Sequence, residues 1–115
     1  MSPHLRNHFL IEISNFRSAL YQEKDITKAW SHLERAHVLG QFYVGPHLLV
    51  HWYMMFIALR THRWPEILGQ IPRLILAAPG SIFRLAPKGN TGGSNVGIFQ
   101  PMHIPDDLNE ILDKV

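Results

Sequence analysis

The sequence predicts an all-α fold with four main helices and a short C-terminal one, and three observations lead to this prediction. Apolar residues recur at every third or fourth position through most of the chain, which is the period of an amphipathic helix. Proline and aspartate residues stand at the starts of these stretches, as is usual at helix N-termini. The 115 residues, 46% of them apolar, suffice for one domain with its own core. We therefore expect residues 1–115 to form a single helical domain.

The first two helices are predicted to form an antiparallel hairpin. Pro3 opens the first helix, which should run to about Tyr21, because a proline at the first helical position loses no hydrogen bond. Asp25 is a suitable N-cap for the second helix, and Gly40 is its natural end. The predicted apolar faces consist of Leu5, Phe9, Ile13, Phe16 and Leu20 in the first helix and Ile26, Ala29, Trp30, Leu33 and Ala36 in the second.

The third helix is predicted to start at Pro46 and to end near Thr61. No charged residue lies between Gly45 and Leu59, and apolar side chains surround this helix on all sides. A helix that is apolar all round is typical of the middle of a fold. The three tryptophans are likewise predicted to pack in the core or between helices: Trp30, Trp52 and Trp64.

The fourth helix should start near Pro65 and end near Ala78, with a kink at Pro72 where the ring removes one hydrogen bond. From residue 79 to residue 101 the periodicity stops, and clustered glycines predict a long loop. A last short helix should begin at Pro105 with two aspartates in its first turn. Together the four main helices form two antiparallel αα-hairpins.

A weak internal similarity leaves a tetratricopeptide-like pairing of the hairpins open. Residues 19–25 and 58–64 share a pattern at an offset of 39, which falls in the range of known helical repeats. Two hairpins are too few for a solenoid, and a plain pair of αα-hairpins is the simpler interpretation.

Composition excludes several classes of function. The chain has no cysteine, which excludes disulfides, thiolate metal sites and a cysteine nucleophile. Its net charge is only +2 and its arginines are spread out, so no nucleic-acid partner is expected. The longest uncharged run is shorter than the roughly 20 residues that span a bilayer, so no membrane partner is expected. The N-terminus lacks a signal-peptide pattern, which predicts a soluble cytoplasmic protein.

The unusual feature is histidine, with eight residues against nine acidic ones. His37 projects into the apolar face of the second helix, near its end. His47 and His51 are four residues apart and lie on one side of the third helix. Because the connection between these helices is short, the three imidazoles should lie at a similar height. Each buried imidazole then needs a hydrogen bond or a metal ion.

This arrangement predicts a metal site. Three imidazoles and one carboxylate make a four-coordinate set that suits Zn and is acceptable to another divalent transition metal. The predicted ligands are His37, His47 and His51, with Glu34 or a water as the fourth, because Glu34 lies three residues before His37 at the edge of the same face. A role in metal handling would follow.

Two alternatives remain open. In the first, the histidines are hydrogen-bond struts inside a non-enzymatic helical-hairpin module that binds a protein partner. In the second, the same metal site has an open position and serves a hydrolytic enzyme, which predicts a pocket over His51 capped by residues 88–95. The chain lacks a nucleophile elbow and a P-loop. A di-iron bundle needs two Glu-x-x-His motifs, and only Glu34-x-x-His37 is present. A non-enzymatic role is therefore favoured and no catalytic residue is assigned.

Several segments resemble one protein family. They are His32–Gln41 (HLERAHVLGQ), Pro46-His47 through His51-Trp52, Gly69-Gln70 with Arg73, Pro87–Val96 (PKGNTGGSNV), and Pro101-Met102 with Ile104-Pro105 and Leu108. Together they resemble the bacterial uncharacterised family DUF3703 over about residues 17–112. The resemblance implies a compact helical bacterial protein and supplies no activity, substrate or catalytic residue. His103 departs from the expected Pro-Met-Pro-Ile-Pro type of ending, which concerns only the local loop geometry.

Overall fold

A computed structural model describes residues 1–114 and contains five α-helices within them. They are α1 (Pro3–Tyr21), α2 (Ile26–Gly40), α3 (Val44–Arg60), α4 (Trp64–Ile82) and α5 (Asp106–Asp113). α1 packs along α2 and α3 packs along α4, while α5 lies against α1 and α2. The predicted all-α fold, with two hairpins and a short C-terminal helix, is confirmed.

The first two helices begin and end where the sequence predicts. The Ser2 hydroxyl accepts a hydrogen bond from the Leu5 N–H at 3.2 Å, and the Asp25 carboxylate accepts one from the Lys28 N–H at 3.0 Å. Each side chain pairs a backbone donor that has no partner inside its own helix. These boundaries are set by local chemistry, which is why the sequence predicts them well.

α4 continues beyond the predicted end at Ala78 and runs through both Pro72 and Pro79. A proline disfavours the helical conformation of the residue before it, but this is a preference that tertiary packing can outweigh. The last turn is held by a hydrogen bond from the Phe83 N–H to the Pro79 carbonyl at 3.0 Å. The extra turn brings Ser81 into the interior of the protein.

The hydrophobic core lies mainly between α1 and α2, with contributions from α3, α5 and the segment before α5. Its largest fully buried apolar side chains are Phe16, Leu5, Leu33, Leu39, Met54, Ile57, Leu108 and Val50. Ion pairs join α5 to this hairpin, because Arg35 binds both Glu12 of α1 and Asp107 of α5. The interior of the first hairpin is therefore mostly apolar, with Glu12 and His37 as its buried polar side chains.

The prediction that α3 sits in the middle of the fold was wrong. α3 packs against α2 and α4, but Trp52, Phe56 and Leu59 remain exposed. The prediction that all three tryptophans are packed also failed, since Trp52 and Trp64 are 63% and 65% exposed. An apolar pattern all round a helix shows which residues prefer burial, but it does not supply a neighbour for every side.

The long loop from Phe83 to Pro105 folds back over the end of the bundle where α2 meets α3. The Gln41 side chain anchors it twice, donating to the Pro87 carbonyl at 2.7 Å and accepting from the Gly89 N–H at 2.9 Å. None of the helices within residues 1–114 has the length and hydropathy needed to cross a bilayer.

Candidate metal centre

Three histidine side chains meet at one point inside the bundle. The Nε2 atoms of His37 and His47 are 3.0 Å apart, those of His37 and His51 are 3.1 Å apart, and those of His47 and His51 are 3.1 Å apart. The three rings are buried, and their centroids are 4.8 Å from one another. The convergence expected from helix geometry is therefore present, with the same nitrogen of each ring pointing to the centre.

The size of this triangle matches what a metal ion needs. With Zn–N bonds of about 2.0–2.1 Å and tetrahedral angles, neighbouring nitrogens lie about 3.3 Å apart. The three Nε2–Nε2 distances are 3.0–3.1 Å, so a shift of a few tenths of an ångström suffices. Among residues 1–114, these three histidines are the one group of three or more His, Asp or Glu residues with ligand atoms close enough to hold an ion.

The outer nitrogens of His37 and His51 each face an oxygen. His37 Nδ1 lies 2.6 Å from the backbone carbonyl oxygen of Asn90, which can only accept a hydrogen bond. His51 Nδ1 lies 2.7 Å from Oε1 of Gln70. The proton of each neutral ring is therefore placed on Nδ1, and Nε2 keeps a free lone pair that points to the centre.

The orientation of the Gln70 amide follows from its other contacts. Its Nε2 donates to a carboxylate oxygen of Glu66 at 2.8 Å and to the carbonyl of Gly92 at 3.0 Å. Both of these partners accept hydrogen bonds, so Nε2 must face them and Oε1 must face His51. A buried side chain of α4 thereby sets the proton position of a histidine on α3.

The outer nitrogen of His47 faces a hydroxyl. His47 Nδ1 lies 2.8 Å from Oγ of Ser81, and this hydroxyl donates to the Gln41 carbonyl at 2.8 Å. In this arrangement His47 donates from Nδ1 and its Nε2 also presents a lone pair. Outer partners of this kind, which orient imidazoles and fix their tautomers, are typical of metal-binding histidines.

Burial lowers the pKa of all three histidines. Loss of water around His37 holds its pKa well below its usual value, and the neighbouring His51 and His47 lower it further. Burial lowers the pKa of His47 to about 4 and, with the nearby His47, that of His51 to about 3. The rings are therefore neutral at physiological pH, which is the state that binds metal.

The glycine-rich loop covers the cluster closely. Gly92 has a φ angle of +88°, and a Cβ atom at this position would lie 2.6 Å from the ring of His37. Asn90, two residues earlier, binds His37 through its carbonyl and the Gly92 N–H through its side chain at 2.9 Å. The turn-rich connector predicted for this segment thus also supplies the partner that orients one histidine.

A cavity of about 120 Å³ adjoins the three histidines. The loop residues Asn90 and Gly92 line part of it, so the pocket beside His51 predicted for an open metal position is present. Its other walls are mostly apolar, with the exception of Arg73. A metal ion with three protein ligands keeps such an open side in catalytic sites, whereas structural sites are closed.

Glu34 is not part of the histidine cluster. Half-buried on α2, it has a pKa raised mainly by burial, while a hydrogen bond from the Thr91 side chain opposes that rise. Its assignment as a fourth ligand stays a prediction. His32 is also outside the cluster, because its Nδ1 pairs with the carboxylate of Glu12 at 2.8 Å.

Sequence reasoning missed the four polar residues that surround the cluster. All four are buried. Gln70, Ser81 and Arg73 were assigned no role, and Asn90 was expected only as part of the loop 88–95 that caps the pocket. The signal for Gln70 and Arg73 was their position as polar residues within an otherwise apolar helix. Ser81 and Asn90 gave no signal, since serine and asparagine are common at helix ends and in turns.

The family described as "Protein of unknown function (DUF3703)" matches residues 3–112, nearly the whole chain. No curated protein and no solved structure matches.

Proposed function

The chain belongs to the DUF3703 family, whose description names no function, and we propose that it binds a divalent transition metal ion through Nε2 of His37, His47 and His51. Zn is the first choice, because three neutral imidazoles suit it and require no redox chemistry. Glu34 or a water is proposed as the fourth ligand. The wider role proposed is metal handling, and the expected cytoplasmic location stays a prediction.

One observation carries this proposal. The three Nε2 nitrogens lie 3.0–3.1 Å from one another, while the outer nitrogens face the oxygens of Asn90, Gln70 and Ser81. Lone pairs on adjacent nitrogens repel unless a cation or a proton lies between them. A bound metal ion satisfies all three nitrogens at once, since each imidazole then donates one electron pair to it.

The alternative is that the histidines are hydrogen-bond struts of a protein-interaction module. One feature favours this alternative. The hydroxyl of Ser81 can either accept a hydrogen bond from His47 or donate one to it, so it allows either tautomer of His47. If Ser81 donates, the proton of His47 moves to Nε2 and is shared between the other two rings. This arrangement costs Ser81 its hydrogen bond to the Gln41 carbonyl.

The proposal is tested by metal content and by titration. Untagged protein is purified and its metals are measured by elemental analysis, and chelated protein is then titrated with Zn²⁺ in a calorimeter. We expect one equivalent of Zn²⁺ per chain with a submicromolar Kd. In the His37→Ala, His51→Ala double variant we expect the loss of this binding, because one histidine cannot hold the ion.

His103→Ala is the matched control, since it removes an exposed histidine outside the cluster. It should bind Zn²⁺ like the parent, and circular dichroism shows whether each variant is folded. If the folded parent takes up no Zn²⁺, Co²⁺, Ni²⁺ or Cu²⁺, the metal-binding proposal is wrong. If the double variant is in addition much less stable than the parent, the strut hypothesis explains the site better.

A further inference from the structure

The cavity beside the histidines contains a buried cation without an acidic partner in contact. Arg73 is 8% exposed, and its guanidinium donates to the carbonyls of Gly69 and Val96, both at 2.8 Å. Within residues 1–114, no carboxylate lies within ion-pair distance of Arg73. The charge of Glu66 raises the pKa of Arg73 without direct contact. Oε2 of Glu66 instead accepts hydrogen bonds from the amide of Gln70 and the N–H of Ser94.

A buried charge of this kind is costly unless another group neutralises it. Burial lowers the pKa of Arg73, which expresses the loss of water around the guanidinium. The three histidines nearby are neutral and give no compensation, and a divalent ion bound to them would add two more positive charges. The cavity therefore favours an anion.

The remaining walls indicate the rest of the ligand. Leu76, Ala77, Leu85, Ile98 and Phe99 give the cavity an apolar lining. Its volume of about 120 Å³ is slightly smaller than the roughly 150 Å³ apolar cavity that is known to hold benzene. Because the cavity is open to solvent on one side, an apolar body of up to about six carbon atoms fits with part of it at the mouth.

We propose that the metal centre takes a small organic carboxylate as its ligand. The carboxylate would occupy the open side of the metal and neutralise Arg73, while the apolar body lies against the cavity wall. This inference rests on the proposed metal site and deepens it by naming the class of molecule that is bound there. Carboxylates suit both groups, since they coordinate transition metals and pair with guanidinium groups in a planar fork.

The test uses full-length protein loaded with Co²⁺, whose visible spectrum reports changes in its ligands. Benzoate is the probe, and benzamide is its neutral counterpart of nearly the same shape. We expect benzoate to change the spectrum with saturation, and benzamide to bind at least tenfold more weakly. Arg73→Gln should weaken benzoate binding at least tenfold, whereas Arg60→Gln, which removes an exposed arginine of the same hairpin, should not change it.

The outcomes separate this inference from the proposed function. If Co²⁺ binds but benzoate leaves the spectrum unchanged, the carboxylate inference is wrong and the metal site stands. Equal affinities for benzoate and benzamide also overturn it, and this comparison uses the parent protein alone, so it does not depend on the folding of Arg73→Gln. Failure to bind Co²⁺ overturns both.

A second, independent observation concerns the outer face of α4. Every exposed residue of this helix is apolar. Trp64, Leu68, Ile71 and Ile75 follow one another at helical spacing, and between 46% and 69% of each is exposed. We define this row, continued by Ile82, as the α4 stripe. Contiguous apolar surface of this extent is typical of a binding interface.

We propose that the α4 stripe is covered by the same stripe of a second copy of this chain. Pro65, Pro72 and Leu76 flank the stripe and are also exposed. Together these eight apolar residues, at roughly 100 Å² each, provide about the 800 Å² that each partner buries in a stable interface. The stripe has no charge that would select a charged partner, and an uncharged helix face can pair with itself about a twofold axis. Arg73, the one basic residue of α4, is buried, so α4 lacks the exposed basic groups of membrane-surface helices.

Sedimentation equilibrium tests this proposal. We expect the parent to have about twice the chain mass of 13.2 kDa at micromolar concentration, and Leu68→Glu with Ile75→Glu to be monomeric. Leu10→Glu with Ile11→Glu is the matched control, since both are exposed apolar residues of α1, and it should remain dimeric. A parent that is monomeric at 100 µM, or that instead floats with anionic phospholipid vesicles, overturns the dimer.

Discussion

The two hairpins of this protein differ in how many polar side chains they bury. Between α1 and α2 the interior consists of residues such as Phe16 and Leu33, and every exposed residue of α2 is polar. In the second hairpin the interior contains polar groups, while the exposed residues of α4 are all apolar. The buried polar groups of α3 and α4 are His47, His51, Gln70, Arg73 and Ser81.

This difference indicates where stability and function reside. Burial of apolar area stabilises a fold without specifying a ligand, and the first hairpin has this character. Polar groups inside a protein cost free energy unless each has a partner. The second hairpin holds the imidazoles of His47 and His51 and the guanidinium of Arg73, and His37 of α2 completes a cluster that a ligand would fill. The exposed apolar surface of the second hairpin also points to a binding partner, because large apolar patches on a protein surface usually mark interaction sites.

The largest expected effect that sharpens this comparison is the pH dependence of the stability of the metal-free protein. Burial lowers the pKa of His47 to about 4 and that of His51 to about 3 in the folded state, from about 6.5 when unfolded. The unfolded chain therefore binds more protons below pH 6.5. The stability contributed by the neutral rings is fully present above pH 6.5 and falls by about 1.4 kcal/mol per pH unit for each histidine as pH decreases.

Urea denaturation of the apoprotein between pH 7 and pH 4.5 measures this loss. The decrease should continue to about pH 4 for His47 and about pH 3 for His51, if the protein is still folded there. His51→Gln should show a shallower slope, because it removes one of the groups that titrate. A profile identical to that of the parent would mean that acid instability arises elsewhere in the chain.

The next largest effect belongs to the first hairpin. Phe16→Ala should lower the free energy of unfolding by about 3–5 kcal/mol, because Phe16 is 1% exposed and its truncation leaves a cavity in the core. Denaturation with and without Zn²⁺ measures the change, and the metal affinity of the folded variant should equal that of the parent. Weaker Zn²⁺ binding in the folded variant would show that the two hairpins are energetically coupled.

A smaller effect should follow from removing an outer partner of the histidines. Gln70→Leu leaves the Nδ1–H of His51 without its acceptor, so Zn²⁺ affinity should fall about 10- to 100-fold. Competition with a chromogenic chelator measures the affinity. Gln22→Leu, which changes an exposed glutamine at the end of α1, should leave it unaltered. An affinity unchanged in Gln70→Leu would exclude Gln70 as a positioning residue.

The smallest effect is expected at the exposed Leu68, and the buried Leu33 provides the contrast. Leu33→Ala should cost about 2–5 kcal/mol of stability, since Leu33 is fully buried. Leu68→Ala should stay within about 0.5 kcal/mol when measured on the dilute monomer, since Leu68 is 67% exposed. Equal costs at the two positions would mean that the α4 stripe is covered within the monomer itself.

The sequence by itself determined the helices and part of the site. Caps at Ser2 and Asp25 and the apolar period act over a few residues, so the first two helices could be read from local chemistry. The meeting of His37, His47 and His51 was also accessible, because a four-residue spacing and a short connection restrict where these rings lie. Glu34 belonged to the same reasoning, and its role as a fourth ligand stays a prediction.

Only the tertiary structure decided how the site is completed and which faces are covered. The partners of the three histidines lie 53, 34 and 19 residues away, at Asn90, Ser81 and Gln70, and no local pattern connects positions so distant. The same holds for the exposed apolar faces of α3 and α4. Periodicity shows which residues prefer to leave water, whereas burial depends on whether another part of the chain, or a second chain, arrives to cover them.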